Sequence, residues 1–286
     1  MTSQPPSPQE TVPTCYRHPG RETWVRCQRC ERPICPDCMR DAAVGFQCPE
    51  CVAEGNRTVR QARSTFGGGV VTTPYVTYTI LGLIGLVFAG QLLTDNRLGS
   101  ALMMNTVYVV GEGEYYRMIT SAFAHSTTMI FHVLFNAWAI WAIAPYLERA
   151  FGHVRFAALY LLCALGGSVM SLWFDDLRTA TVGASGAVFG LFAAIFIVGR
   201  RLKLDVRGIA TVIVLNLVIT FVVPAVTGFG ISWTAHVGGL VTGAVLTTAL
   251  VYAPRKHRAL YQALALLGGF AIMVALTVIR ATSLLS

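Results

Sequence analysis

The sequence predicts an all-α membrane protein that crosses the bilayer several times and carries a small metal-binding unit near its N-terminus. Hydrophobic residues make up 54% of the 286 residues and charged residues only 13%, whereas a soluble domain carries roughly 25% charged residues. Seven of the eight cysteines lie between Cys15 and Cys51, ahead of the apolar part of the chain. The composition therefore indicates two unlike parts.

Domain boundaries follow from shifts in composition. Residues 1–14 are rich in Pro, Ser and Thr and are predicted to be a disordered tail. Residues 15–52 contain the cysteines, and residues 53–73 are polar and then Gly-rich, which is typical of a linker. Residues 74–252 contain six long apolar segments, and residues 253–286 contain a seventh.

Each apolar segment has about the length that a membrane-spanning helix needs. An α-helix crosses roughly 30 Å of hydrocarbon with about 20 residues. Because lipid offers no partner to backbone polar groups, we expect these segments to be helices. They cover about residues 75–93, 127–147, 156–174, 180–199, 208–228, 231–252 and 259–279.

The Lys and Arg residues between these segments predict the orientation. Alternate connections carry twelve of them on one side, from Arg57 to Arg258, and four on the other, Arg97, Arg117, Arg178 and Arg280. By the positive-inside rule the N-terminus is cytoplasmic and the C-terminus extracytoplasmic. No signal peptide is visible in the first 70 residues. We expect a multi-pass protein of the plasma membrane, embedded in the lipid bilayer.

Seven of the cysteines and one histidine form four closely spaced pairs. Four pairs separated by two residues supply eight ligands, which is enough for two tetrahedral Zn²⁺ sites. So short a unit buries too small a core to fold alone, so we expect both ions to be structural and no cofactor to serve catalysis. The pairs are Cys15 and His18, Cys27 and Cys30, Cys35 and Cys38, and Cys48 and Cys51.

Spacing alone leaves open which pairs share an ion. The ligand order resembles the B-box type of zinc finger, and this resemblance implies that pairs one and three bind one ion and pairs two and four the other. We expect residues 15–52 to contact a protein partner or to regulate the membrane domain. They contain no clear recognition helix, so we do not expect nucleic acid as a partner.

Four polar residues stand out in the apolar segments, where a polar side chain is costly and calls for a function. Ser185 lies early in the fourth segment, His236 early in the sixth, and His132 and Asn136 early in the second. The predicted topology places Ser185, His236 and His132 about five residues, or about 8 Å, inside one membrane face, with Asn136 one turn deeper on the face of His132, so that all four share roughly one depth. A nucleophile, a base and two hydrogen-bond donors at one level favour acyl transfer.

Small residues surround the two candidate catalytic residues. Glycines on membrane helices allow close approach, which a direct hydrogen bond between Ser185 and His236 requires. Phe189 follows Ser185 by four residues and can pack beside the imidazole. The glycines are Gly183, Gly186 and Gly190 in the fourth segment, and Gly239 and Gly243 in the sixth.

These motifs resemble those of the rhomboid family of intramembrane serine proteases. Residues 183–186 (Gly-Ala-Ser-Gly) resemble its GxSG motif, residues 235–239 (Ala-His-Val-Gly-Gly) its helix-6 histidine motif, and residues 132–136 (His-Val-Leu-Phe-Asn) its HxxFN-type motif. Residues 114–120 resemble the loop-1 motif, with Tyr where Trp is usual before Arg. The resemblance covers about residues 75–252 and implies six core helices plus a C-terminal seventh.

The resemblance also implies roles. Ser185 would attack the scissile carbonyl after His236 takes its proton, and His132, Asn136 and the Ser185 backbone would hold the oxyanion, with Gly183 and Phe189 in support. Substrates would be transmembrane proteins cut near the extracytoplasmic face.

Two positions depart from the family pattern. The family commonly has a second histidine five residues before the helix-2 histidine. Thr127 stands there, and the nearest histidine is His125, seven residues before. Phe189 stands where some members have Tyr, which keeps the ring but removes a hydroxyl.

Other functions are weaker interpretations. A catalytically silent rhomboid-like protein that binds membrane helices usually lacks the Ser or the His of the dyad, and here both Ser185 and His236 are present. A transporter or channel often shows repeats and helices broken at the membrane midplane, and we see neither. A membrane metalloprotease would need a motif such as HExxH, which the sequence lacks.

Overall fold

A computed structural model describes residues 11–58, 62–227 and 230–286. It divides into two compact units, residues 1–61 and residues 62–286. Most of the tail predicted over residues 1–14 lies outside the described residues, but Thr14 at its end already bridges to Glu22.

The N-terminal unit is built around its cysteines. Its regular structure is small: a 3₁₀ turn at Pro36–Cys38, an antiparallel pair of strands, β1 (Arg40–Asp41) and β2 (Phe46–Gln47), and helix α1 (Pro49–Thr58). Its buried cluster consists of six cysteines and Ile34. Such a core is too small to stabilise a fold by apolar burial alone.

The larger unit is a helical bundle. Within the described residues it contains seven long α-helices and two short α-helices, α3 (Arg97–Leu102) and α4 (Arg117–Thr120), which precede the second long helix. A π-helical turn at Val107–Gly111 and a 3₁₀ turn at Arg255–His257 complete its helical structure. The long helices are α2 (Tyr75–Leu93), α5 (Ile130–Phe151), α6 (His153–Phe174), α7 (Ser185–Arg201), α8 (Arg207–Thr227), α9 (Trp233–Tyr252) and α10 (Arg258–Leu285).

Six helices within the described residues are long and apolar enough to cross a membrane, so the protein is a multi-pass integral membrane protein. The exception is α7, whose 17 residues span only about 26 Å. The sequence predicts this helix from residue 180, but Ala180–Thr181 form strand β4 instead. Surrounding helices bury most of α7, whereas α8 is largely exposed on the outside of the bundle.

Glycines bring α6, α7 and α9 into backbone contact. A Cβ atom on Gly239 would lie 1.8 Å from the Gly186 carbonyl oxygen, and one on Gly243 would lie 2.3 Å from the Gly190 carbonyl oxygen. On the other face of α9, a Cβ on Gly238 would lie 2.5 Å from the Gly166 carbonyl oxygen. Without side chains between them, α7 and α9 approach closely, as the small-residue pattern predicts.

Arg117 holds together the loop between α2 and α5. This buried side chain donates to Glu114 (2.6 Å) and to the Ser100 carbonyl (2.7 Å), and its guanidinium lies 4.5 Å from the centre of the Tyr108 ring. Strand β3 (Met104–Asn105) in the same loop pairs antiparallel with β4. The loop is thereby tied to the segment that precedes α7.

Glu148 anchors the opposite end of the bundle. Its carboxylate is fully buried and accepts hydrogen bonds from the Val76 N–H (2.9 Å), the Thr77 N–H (2.8 Å) and the Thr77 hydroxyl (2.6 Å). These backbone groups belong to the first turn of α2, where a negative charge is favourable. The His153 ring also contacts this carboxylate.

The segment predicted as a linker, residues 53–73, is more ordered than its composition indicates. Helix α1 continues to Thr58. Further on, the Phe66 N–H donates to the Ala150 carbonyl (2.9 Å), and the Gln262 side chain donates to the Phe66 carbonyl (2.7 Å). The Phe66 ring also packs on Phe151. A single buried aromatic residue docks this segment against the bundle, which polar composition does not predict.

The contact between α7 and α9 gives a first prediction. Gly239→Ala places a methyl group against the Gly186 carbonyl. We expect the free energy of unfolding to fall by about 1–3 kcal/mol or more, because a backbone carbonyl cannot move aside as a flexible side chain can. Gly268→Ala in α10 is the matched control, since nothing lies within 4 Å of a Cβ there. Thermal unfolding in detergent measures both. Equal midpoints for the two variants would contradict the close packing.

Candidate active site

Three helices begin at the same end of the bundle, here called the site end, and each carries a predicted site residue near its start. Ser185 is the first residue of α7, His132 the third of α5 and His236 the fourth of α9. All three are shallower than the five residues predicted. Because helices start with unpaired N–H groups, Ser185 lies where backbone donors are free.

The chain before Ser185 explains why α7 begins there. Gly183 has φ +122°, a conformation that a helix excludes and that favours glycine. Its N–H donates to the Ser121 carbonyl (2.9 Å), and β4 pairs with β3 just upstream. The segment is therefore fixed by its neighbours, and the half-exposed Ser185 side chain follows it.

The His236 ring is held on two sides. It is 8% exposed and stacks on the Phe189 ring, with centroids 4.2 Å apart and planes 15° from parallel. Its Nδ1 atom lies 2.8 Å from the Thr220 hydroxyl on α8. Since Phe189 is one helical turn after Ser185 on the same face of α7, the stack places the imidazole against the α7 face that carries Ser185.

His132 and Asn136 lie next to this pair. A Cβ on Gly183 would be 2.7 Å from His132 Nε2 and 3.7 Å from Ser185 Oγ, so both atoms surround the space that glycine leaves open. Asn136 is buried, and its amide Nδ2 donates to the His132 carbonyl (2.7 Å). One N–H of that amide is therefore bonded within its own helix, and the amide carries a second N–H.

His125 supports the segment that leads into Ser185. Its Nε2 accepts a hydrogen bond from the Ala184 N–H (3.3 Å), and its Nδ1 lies 3.2 Å from the Phe123 carbonyl. A carbonyl only accepts, so Nδ1 carries the proton and the ring is neutral. Burial, together with the nearby His132 ring, lowers the pKa of His125 to about 4. The family pattern expects a second histidine at residue 127; here His125, two residues earlier in the loop before α5, reaches the segment that leads into Ser185.

Several side chains at the site end had not been singled out from the sequence. Gln91 on α2 holds His125 through both backbone groups, accepting from its N–H (2.9 Å) and donating to its carbonyl (2.7 Å). Thr234 is fully buried two residues before His236, contacts Ser171 and donates to the Asp175 carboxylate (2.8 Å). A polar residue inside an apolar segment is the signal that indicates them.

A small cavity lies behind the segment that precedes α7. Its volume is about 20 Å³, which is room for roughly one water molecule. Three serine side chains, Ser121, Ser168 and Ser171, supply polar groups to its wall, together with the backbone at Gly183 and Gly186.

The N-terminal unit gathers its eight candidate ligands into two groups. Within each, the donor atoms all lie within 4.8 Å of one another. The structure combines pairs one and three, and pairs two and four, in the arrangement that the B-box resemblance implies. The first group is Cys15, His18, Cys35 and Cys38; the second is Cys27, Cys30, Cys48 and Cys51.

The two metal-binding groups differ in charge, and the second has a nearby cation. His18 Nδ1 faces the thiols of its group, 3.2 Å from Cys35 Sγ and 3.5 Å from Cys38 Sγ. In the second group the Arg32 side chain donates to Cys30 Sγ (3.2 Å) and approaches Cys48 Sγ (3.6 Å). If the four cysteines bind a metal ion as thiolates, an arginine there would offset their excess negative charge.

Comparisons with known proteins agree with this fold. The family model described as the Rhomboid domain matches residues 112–253. The chain is 33% identical to the putative rhomboid protease YdcA of Bacillus subtilis over 139 residues, 48% of the chain and 68% of YdcA. It is 27% identical to the rhomboid protease AarA of Providencia stuartii over 224 residues, 69% of the chain and 78% of AarA.

A longer relative matches in part. The rhomboid protease GluP of Bacillus subtilis is 31% identical over 187 residues, which are 62% of the chain but only 35% of GluP.

The neutral state of His125 predicts an acid-sensitive site end. Its folded pKa of about 4 lies below the ordinary histidine pKa of about 6.5, so its contribution to stability is present above pH 6.5 and is lost as the pH falls through about 4. The full effect is on the order of 3 kcal/mol. His125→Gln keeps a donor and an acceptor without titrating. We expect its unfolding midpoint to depend less on pH between 4 and 7 than that of the parent protein; equal slopes would contradict the assignment.

Proposed function

Because the chain belongs to the rhomboid family, known as intramembrane serine proteases, we propose that it is a serine endopeptidase that uses Ser185 as nucleophile and His236 as general base. The observation that carries this proposal is the stack of His236 on Phe189, one helical turn from Ser185. It supports the pairing of Ser185 on α7 with His236 on α9 at the site end. Nucleophile and base side by side are the requirement for covalent acyl transfer.

In this reaction His236 takes the Ser185 proton while Oγ attacks the scissile carbonyl. The resulting oxyanion lies near the start of α7, where the Ser185 N–H and the helix dipole favour negative charge. His132, beside Gly183, and the second amide N–H of Asn136 add donors. The imidazolium then protonates the leaving amine, and water hydrolyses the acyl-enzyme by the same steps in reverse.

Substrates of this site are proposed to be transmembrane proteins. By the positive-inside rule the site end faces the extracytoplasmic side, with the N-terminus in the cytoplasm and the chain in the plasma membrane. A substrate helix must unwind before its backbone reaches Ser185, so small and helix-weakening residues near the cleavage site favour cleavage.

The N-terminal unit is proposed to hold two structural Zn²⁺ ions. Cys₃His and Cys₄ sets are typical of structural zinc. Cys30 Sγ and Cys48 Sγ lie 3.8 Å apart, which is about the edge of a tetrahedron with Zn–S bonds of about 2.3 Å. When bound, the ions cross-link the loops of a unit that lacks a large core, and the unit serves as a contact for a protein partner or as a regulator.

The catalytic pair is tested by cleavage of a model transmembrane substrate in liposomes. We expect Ser185→Ala and His236→Ala each to reduce the rate at least about 10³-fold, and His132→Ala to reduce it about 10²–10³-fold. His257→Ala, on an exposed residue outside the site, is the control.

The outcomes separate the candidate functions. Cleavage that survives Ser185→Ala would overturn the mechanism. If the parent protein cleaves none of several substrates but still binds them, a catalytically silent helix-binding protein is the better interpretation.

The metal content tests the second proposal. Purified protein should carry about two zinc ions per chain by plasma mass spectrometry, and the double variant Cys27→Ser/Cys30→Ser about one. Cys163→Ser is the matched control, because this buried cysteine lies on α6 outside both groups and should leave two ions bound. Another metal, or one ion in the parent protein, would refute two zinc sites.

A further inference from the structure

Helix α8 contributes one buried polar side chain to the site end. Its neighbours Ile219 and Phe221 are exposed, but Thr220 is only 2% exposed. The Thr220 hydroxyl makes two contacts: it lies 2.7 Å from the Asn216 carbonyl oxygen one turn earlier, and 2.8 Å from His236 Nδ1.

Counting protons assigns a direction to both contacts. A threonine hydroxyl has one proton, and a backbone carbonyl only accepts. The proton of Thr220 therefore points to the Asn216 carbonyl, and the oxygen lone pair faces His236. For the second contact to be a hydrogen bond, Nδ1 of His236 must carry the proton, which leaves the lone pair of the neutral ring on Nε2.

We infer that Thr220 is a positioning residue, which holds His236 in the tautomer whose Nε2 is free to accept the Ser185 proton. The inference rests on the proposed function for its catalytic meaning, but the tautomer is a property of the protein alone. Thr220 does not touch the reacting atoms and acts only through the imidazole.

Two contacts from different helices fix the ring. The Phe189 stack sets the plane of the imidazole, and a stack alone leaves the ring free to flip about χ2. The hydrogen bond to Thr220 selects one of the two flipped orientations. Among the residues that the structure describes, Thr220 is the hydrogen-bond partner of the His236 ring, while the nearby Asp175 carboxylate binds Thr234 instead.

The Thr220 hydroxyl can also accept a hydrogen bond from the protonated His236 ring. After proton transfer, Nδ1 still carries its hydrogen and still donates to Thr220, so no rearrangement is needed during the reaction. Because the acceptor is neutral, its effect on the rate is smaller than that of a carboxylate. A hydrogen bond of ordinary strength corresponds to roughly a three- to tenfold change.

The direct test is nitrogen-15 NMR of the protein labelled at histidine, in detergent micelles. Two-bond couplings distinguish a ring protonated at Nδ1 from one protonated at Nε2, and His236→Ala identifies the signal. We expect the Nδ1–H form in the parent protein and a shift toward the Nε2–H form in Thr220→Val, which keeps the shape and removes the hydroxyl. An Nε2–H form in the parent protein would overturn the inference.

The kinetic test uses a transmembrane substrate in liposomes and labelling of Ser185 by a fluorophosphonate probe. Thr220→Val should lower both kcat and the labelling rate roughly three- to tenfold with KM unchanged, and Thr220→Ser should restore them. Thr211→Val is the matched control, because Thr211 makes the same bond to the carbonyl four residues earlier in α8 but is exposed.

The outcomes are distinct for the two proposals. Unchanged rates in Thr220→Val, an equal loss in Thr211→Val, or no recovery with Thr220→Ser would each contradict a role for the hydroxyl. A parent protein that shows the Nδ1–H tautomer but neither cleaves nor labels would refute the proposed function and leave the positioning role standing.

Discussion

The close approach of α7 and α9 is the constraint on which the rest of the bundle depends. At Gly239 and Gly243 the α9 backbone lies directly against carbonyl oxygens of α7, with no room for a methyl group. Lipid provides no hydrophobic force to press helices together, so such contacts and interhelical hydrogen bonds must hold them. The same contact sets the separation between Ser185, at the start of α7, and His236, near the start of α9.

Polar groups at the site end are stable because nearly all of them have partners. Arg117 binds Glu114 and loop carbonyls, His125 lies between Gln91, Phe123 and Ala184, and Thr234 binds Asp175. A buried polar group without a partner costs roughly 1–3 kcal/mol. The network therefore orders loops that apolar burial alone would leave free, and it fixes the segment that leads into Ser185.

The sequence predicts the long helices well because bilayer thickness imposes their length, and it predicts the ligand grouping of the N-terminal unit once a resemblance orders the pairs. The sequence predicts the start of α7 five residues early, because the tract from Ala180 to Ala184 is largely apolar. Strand pairing at Ala180–Thr181 and the positive φ of Gly183 keep this tract out of the helix. The sequence does not predict Thr220 as a site residue for a related reason: threonine is common in membrane helices, and only its tertiary contact with His236 distinguishes this one.

The membrane setting gives a physical reason for a neutral group to orient the base. A carboxylate buried beside His236 would lose its hydration at a cost of several kcal/mol, which attraction to the imidazolium repays only with very good geometry. A hydroxyl costs less to bury, and Thr220 satisfies its own proton within α8. It therefore fixes a tautomer without placing a charged side chain against the His236 ring. In the proposed mechanism, the imidazolium is therefore stabilised less than a carboxylate would stabilise it, and a larger share of the rate enhancement would come from the donors around the oxyanion.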